Sequence, residues 1–325
     1  MKSAASFWTC TFEVCYMTLE QIIGQAVPVA ILKRALDTDS LGHAYLFSGE
    51  EGVGKETVAR AVAQELAKRK GGLSTLQVLG GEGSIGIDEI RSLRQQAALA
   101  AAGSTVWLIL DAERLTIQAA NALLKTLEEP VAGTHFFLTT TKLQSMLPTI
   151  VSRCQHVQFR RIPEEEICRW LAQRSQLSPE DGQIRTIAKL AQGSLGRALA
   201  YLEGPLLQER KAIIDKLIKV PRASYAAVLG LSQSWPENRE KIDQELDVIL
   251  EWHRDLLAVK NQLDLPLYNP GYERELQEIS ALYSSEALFG LVETILDMKK
   301  AIAGNGRIRF CLGYLLLMMK RGALT

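Results

Sequence analysis

The chain has 325 residues, 47% hydrophobic and 23% charged, with 37 Lys and Arg balanced by 37 Asp and Glu. That length exceeds one ordinary hydrophobic core and implies two or three domains. The composition excludes a disordered chain, and the absence of net charge excludes recognition of nucleic acid by bulk positive charge, so any DNA contact must be local or shared with partners.

Five cysteines (Cys10, Cys15, Cys154, Cys168 and Cys311) show no CxxC spacing and no Cys/His cluster. Neither a disulfide framework nor a metal site is supported, so no metal is expected and reduced thiols in the cytoplasm are the default. The apolar run Leu312–Met319 is too short to span a bilayer, and no membrane partner is expected. Residues 1–16 carry a broken apolar stretch interrupted by Glu13 and lack a signal-peptide core. They are expected to be a dispensable extension outside the fold, with Met17 a candidate translation start.

In chain order, Leu19–Asp37 has a helical pattern interrupted at Gly24 and Pro28. Ala44–Phe47 reads as a buried strand, Ser48–Gly54 as a loop, and Lys55–Lys70 as a helix with Val58, Ala61, Val62 and Leu66 inward. Gln77–Leu79 is a candidate strand and Ile87–Ala100 a helix with Asp88 and Glu89 in its first turn, where the helix dipole favours them. Thr105–Leu110 is a continuous apolar run, as in a central parallel strand covered on both faces. In Ala119–Pro130, residues Ala120, Leu123, Leu124 and Leu127 share one helical face, and Pro130 stops the helix. Phe136–Leu138 and Val157–Phe159 supply further strands. Strands alternating with helices predict a doubly wound parallel sheet. Beyond Arg161 only helical patterns remain: a small region up to Gly204–Pro205, then Lys211–Lys219, Asp243–Lys260, Ser285–Ala303 and Arg307–Met319.

Between the first strand and its helix lies Gly49-Glu50-Glu51-Gly52-Val53-Gly54-Lys55-Glu56. Gly49, Gly52 and Gly54 would let backbone amides cradle phosphate, and Lys55 would reach the β/γ oxygens. The hydroxyl that should hold Mg²⁺ is replaced by Glu56. Thr57 is one position later, rotated by roughly 100° around the helix. Glu50, Glu51 and Glu56 also crowd the place of a polyphosphate, at about 4 kcal/mol per like-charge pair about 4 Å apart in an effective dielectric of ~20.

The stretch Asn121-Ala122-Leu123-Leu124-Lys125-Thr126-Leu127-Glu128-Glu129-Pro130, followed by Leu147-Pro148-Thr149-Ile150-Val151-Ser152-Arg153-Cys154, resembles the clamp-loader branch of the AAA+ ATPases, the bacterial DNA polymerase III subunits. Gln21–Gln25, His43–Gly49 and Ser84–Arg91 extend the resemblance, which is dense from about Gln21 to Phe159 and thin after Gly204. It implies an AAA+ α/β core over residues 17–161, a small helical lid over 162–204 and an all-α collar over 205–325. Asn305–Arg309 fits that collar only loosely.

Within this family the strand after Ala100 should end in an Asp-Glu pair, the Asp near Mg²⁺ and the Glu activating water. Counted back from Asn121, Leu110 takes the Asp place and Asp111 the Glu place. Without that register Asp111 could be the metal-associated acid, and Ala112 then replaces the base. Either way half of the machinery is missing. The resemblance places a γ-phosphate sensor at Thr140 or Thr141, although threonine is equally an ordinary strand-end residue. It places a second sensor near Gly193–Ala198, where Gly196 stands in the position of the ATPase subunits' arginine and Arg197 follows one later; Ser194 reads equally as an ordinary helix cap.

Arg153 matches the family's arginine finger, inserted in trans at a neighbour's nucleotide. A permanently charged planar fork suits a γ-phosphate. The family's motor subunits carry a cysteine zinc module between the phosphate-loop helix and Ser84, whereas no cysteine occurs here between Cys15 and Cys154.

An eroded phosphate site, no zinc module and an intact Ser-Arg-Cys together resemble the delta-prime subunits, the stators that close the loader ring. The resemblance implies little or no intrinsic ATPase and at most weak binding of ATP and Mg²⁺. The implied partners, in a hetero-oligomer, are the gamma/tau and delta subunits, the sliding clamp and, through the complex, primer-template DNA. The alternative is an active gamma/tau-type motor subunit using Lys55 and Asp111.

Overall fold

The computed structural model describes residues 8–10, 17–69, 74–81, 83–99, 104–233, 235 and 238–323. The chain divides into two units, Met1–Leu199 and Ala200–Thr325.

In the first unit, continuous apolar runs become strands buried along their whole length: β2 (Ala44–Ser48), β4 (Ser104–Ile109) and most of β5 (Thr134–Thr140). With β1 (Trp8–Cys10), β3 (Ser74–Leu79) and β6 (Gln155–Gln158) they form one sheet in the order β1-β3-β4-β5-β2-β6. The five strands from β3 to β6 run parallel, with Leu46 opposite Leu138 and Val106 opposite His135.

β1 pairs antiparallel with β3, Thr9 opposite Gln77. Part of the N-terminal segment expected to lie outside the fold is therefore a sheet edge. Strand pairing satisfies backbone groups irrespective of side-chain pattern, which is why the residues gave no sign of it. The rest of 1–16, and the link 70–73 where a zinc module would be inserted, lie outside the described residues.

Successive strand residues point to opposite faces, and each face has its own helical cover. Tyr45, Phe47, Val106, Leu108 and Phe137 pack with Leu32 of α1 (Ala26–Asp37) and Val58 and Val62 of α2 (Lys55–Arg69). Leu46, Trp107, Ile109, Phe136 and Leu138 pack with Ile90 and Leu93 of α3 (Ile87–Leu99) and Leu123 and Leu127 of α4 (Ile117–Glu128). Aromatic rings knit the first face, with Tyr45 and Phe137 stacked at 5.3 Å between centroids. Pro28 does not interrupt α1: it lies in the first turn, where no intrahelical donor is needed. Thr116 caps α4 by accepting from the Ala119 amide at 3.2 Å.

Because β2 lies between β5 and β6, the chain leaves it in one direction and returns on the other side, making a topological switch point at the carboxyl ends of the strands. There the loop after β2 meets the ends of β4 and β5. α5 (Pro148–Val151) leads into β6. The helices α6 (Glu164–Ser175), α7 (Gly182–Ala191) and α8 (Leu195–Glu203) follow, the boundary between the units falling inside α8.

The second unit is helical: α9 (Leu206–Lys219), α10 (Tyr225–Gln233), α11 (Arg239–Lys260), α12 (Glu273–Ser280), α13 (Ser285–Ala303) and α14 (Ile308–Gly322). Its core gathers Ile249, Trp252, Leu288, Ile295, Leu312 and Leu316. A buried polar network ties the segment after α11 to its helices. Arg210, 4% exposed, donates from Nη1 to Glu251 Oε2 (2.7 Å) and from Nη2 to Asn269 Oδ1 (2.7 Å). The carboxylate of the fully buried Asp255 accepts from the Asn269 amide and Nδ2, both at 2.8 Å. No single helix among the described residues is long and apolar enough to cross a membrane.

Candidate functional site

The phosphate-type loop, residues 49–54, follows β2; close approach requires glycine at Gly49 and Gly52, and a φ of +99° favours it at Gly54. Gly52 has φ +71°, and a Cβ there would stand 2.2 Å from Ser194 Oγ and 3.2 Å from Gly196 Cα. The loop is seated against the N-terminus of α8, with the Gly196 amide donating to Gly52 O at 3.0 Å. Below it the buried side chain of Gln25 donates to Val53 O (3.1 Å) and Arg160 O (2.7 Å).

Lys55, 7% exposed, is turned back on its own loop. Its ammonium donates to Gly49 O at 2.7 Å and Glu50 O at 2.6 Å. Burial pulls its pKa below the ordinary lysine value, opposed chiefly by the charges of Asp111 and Glu113. Glu56 lies along α2, its carboxylate paired with Arg60 at 2.7 Å. Glu50 is likewise held by Arg161 Nε at 2.7 Å. These acidic side chains, whose repulsion of a polyphosphate the sequence suggested, thus have cationic partners within the chain.

A cavity of about 470 Å³ opens beside the loop. Lys55, Thr57, Asp111, Thr139 and Thr141 line its polar part, and Ile22, Ile23, Leu110, Trp170 and Leu199 its apolar part. Gly52, Gly54 and Glu56 also border it.

At the end of β4, Leu110 packs against the core on the α1/α2 side of the sheet, and Asp111 follows in a left-handed conformation (φ +48°). The Asp111 amide donates to Thr139 Oγ1 at 3.1 Å, and its carboxylate lies 3.5 Å from Arg114. Glu113 reaches across to β5, where Oε1 accepts from the Thr141 amide (3.0 Å) and hydroxyl (2.7 Å). Burial raises the Glu113 pKa, but these bonds outweigh it and hold the carboxyl below its ordinary range.

Three residues expected at this site, Gly49, Thr140 and Arg197, are placed outside the cavity lining. Thr140 is fully buried, and its hydroxyl accepts from the Lys142 amide at 3.0 Å. The two-residue period of a strand gives the cavity to Thr139 and Thr141 instead. Arg197 is the third residue of α8, with Ser194 Oγ accepting from its amide at 3.1 Å; the residues of that turn that line the cavity are Leu195 and Gly196.

Arg153 stands apart from the cavity, just after α5. Its Nε and Nη2 both donate to Glu128 Oε1 (2.8 and 2.5 Å), and Nη1 donates to Thr149 O at 3.0 Å. Its side chain remains 35% exposed. The neighbouring Cys154 is mostly enclosed, and burial pushes its thiol up to about 12, which makes it inert rather than nucleophilic.

The donor set does not fit a Mg²⁺-triphosphate held for hydrolysis. No hydroxyl stands at residue 56, Leu110 brings an aliphatic group to the strand end, and Lys55 is engaged by loop carbonyls. Gln25, Glu128 and Trp170 were not singled out from sequence. Glu128 lies inside the quoted motif, but its partner is distant in the chain. Gln25 and Trp170 acquire meaning only from what packs beside them.

A family model described as DNA polymerase III, delta subunit, matches residues 69–163. The chain is 34% identical to the DNA polymerase III subunit tau of Bacillus subtilis, a match covering 85% of this chain and 56% of that protein. It therefore spans little more than half of that relative's length. It is 30% identical to the DNA polymerase III subunit delta' of Haemophilus influenzae, over 81% of this chain and 84% of the relative. Among solved structures, a DNA polymerase III, gamma subunit-related protein from Thermotoga maritima superposes with a TM-score of 0.50 at 19% identity, covering 90% of this chain and 99% of that one, a likeness of fold alone. With an AAA+-type sheet bearing a phosphate-type loop at its switch point, and with close similarity over most of a delta' subunit, the chain belongs to the family of DNA polymerase III clamp-loader subunits.

Proposed function

We propose that this chain is the delta-prime-type stator of a DNA polymerase III clamp loader, supplying Arg153 in trans to the nucleotide of a neighbouring ATPase subunit. The observation that carries this reading is the state of Lys55: the cation that would neutralise phosphate is bonded to its own loop carbonyls. Two further features agree with it. At the second-sensor position it is Gly196, with no cationic side chain, that meets the loop, its amide donating to Gly52 O. Arg153, in contrast, keeps part of its guanidinium exposed outside the cavity.

In this role residues 17–161, with the edge strand β1 at Trp8–Cys10, form the AAA+ core, 162–204 the lid and 205–325 the collar. The partners are gamma/tau and delta subunits, the sliding clamp and primer-template DNA, in the cytoplasm. Arg153 stabilises charge developing on the transferred γ-phosphoryl group, an effect worth ~10³–10⁵ in rate where fingers of this kind act. A lysine would keep the charge but lose the bidentate fork.

The test is a reconstituted loader with its DNA- and clamp-stimulated ATPase and clamp loading measured. Arg153→Ala should suppress both, Arg153→Lys should rescue poorly, and Lys55→Ala should change little. The isolated chain should show no turnover above background. A critical Lys55 with a silent Arg153 would reverse the roles and favour the motor-subunit reading, for which the cavity beside Lys55 and Asp111 is the supporting feature.

A further inference from the structure

We infer that Glu128 is the positioning residue for Arg153, holding the guanidinium in a fixed orientation for the neighbour's phosphate; this rests on the proposed finger role. An arginine after a short helix would ordinarily sample many rotamers. Here three sites restrain it. Glu128 Oε1 takes both the Nε and the Nη2 hydrogens of one guanidinium edge, at 2.8 and 2.5 Å. Thr149 O takes Nη1 at 3.0 Å, and Ser152 Oγ lies 3.4 Å from the same nitrogen.

A guanidinium has five N–H donors in a rigid fork. The grip on the Nε edge leaves the second Nη2 hydrogen, on the far edge, uncommitted. That far edge is what an approaching phosphate oxygen would meet. Orienting the side chain before docking removes an ordering cost that binding would otherwise carry.

Glu128 is well suited to this by its place in the fold. It is the last residue of α4, the helix whose apolar face is buried against the sheet, so its backbone is fixed by the core. A carboxylate at a helix C-terminus is disfavoured by the helix dipole, and the cation beside it offsets that. The two residues lie 25 apart in sequence and meet only because α4 and α5 pack together.

The experiment uses the reconstituted loader and four forms of this chain: wild type, Arg153→Ala, Glu128→Ala and the double variant, with Glu128→Gln as the conservative control. Steady-state ATPase is measured against ATP concentration with clamp and primed DNA present, and melting of each isolated variant checks folding. Glu128→Ala should lower kcat by about 10- to 100-fold, the scale of a misplaced catalytic group, with KM for ATP unchanged. Glu128→Gln, which keeps an oxygen acceptor, should recover part of that loss, and the double variant should be no slower than Arg153→Ala.

Unchanged or increased turnover in Glu128→Ala would overturn the inference, an increase meaning that the carboxylate competes with phosphate for the arginine. So would an equal loss with and without Arg153. If Arg153→Ala itself is silent, the finger role fails and the positioning role falls with it, an outcome distinct from failure of Glu128 alone.

Discussion

Gly52→Ala probes the seam between the phosphate-type loop and α8, and its cost follows from one backbone conformation and one contact. Gly52 has φ +71°, a left-handed conformation that costs a residue with a Cβ about 1–2 kcal/mol. The new Cβ would stand 2.2 Å from Ser194 Oγ, so that oxygen must move. Ser194 is 3% exposed and its Oγ accepts from the Arg197 amide at 3.1 Å; losing this helix cap costs about 1 kcal/mol more. The sum is about 2–3 kcal/mol. Urea unfolding of the full chain, followed by tryptophan fluorescence, should register it in the transition that reports the first unit. In a Ser194→Ala background the displaced oxygen is absent, so Gly52→Ala should cost only the backbone component of about 1–2 kcal/mol. A cost below about 0.5 kcal/mol, or the same cost in both backgrounds, would refute the reasoning.

Two further predictions concern the second unit. Arg210→Leu removes a buried cation bonded to Glu251 and Asn269 and should destabilise the chain by about 3–5 kcal/mol in urea unfolding, while Arg210→Leu with Glu251→Leu should recover much of the loss. His253 is 2% exposed, and burial pulls its pKa from 6.5 to about 4. The unfolded chain therefore binds a proton at pH values where the folded chain does not, and stability should fall as pH drops from about 6.5 to about 4, by on the order of 3 kcal/mol in all. Urea midpoints across that range should show a slope that His253→Gln flattens; an unchanged slope would mean that His253 is not its source.

Much of this fold was legible because its signals are local. The apolar runs Ala44–Phe47 and Thr105–Leu110 became fully buried strands, and Ala120, Leu123 and Leu127 became the inner face of α4. The site's deficiencies were equally readable: Glu56 and Leu110 are side-chain identities that no folding can alter. The short helices α10 and α12 escaped notice because eight or nine residues carry too few apolar positions to fix a period.

Facing, partnership and closure belonged to the tertiary structure. Whether Thr139, Thr140 or Thr141 meets the cavity depends on which of them turns towards the loop after β2, and that is a property of the whole sheet. Lys55 turned onto Gly49 and Glu50 because a buried ammonium must find acceptors, and the carbonyls of its own loop lie within reach. Trp8–Cys10 joined β3 through backbone pairing, to which side-chain periodicity is blind. Glu128 met Arg153 across 25 residues of intervening chain. The sequence by itself determined which chemical groups the protein owns; packing decided which of them face one another, because hydrogen bonds and ion pairs act over a few ångströms and only the folded chain brings distant residues that close.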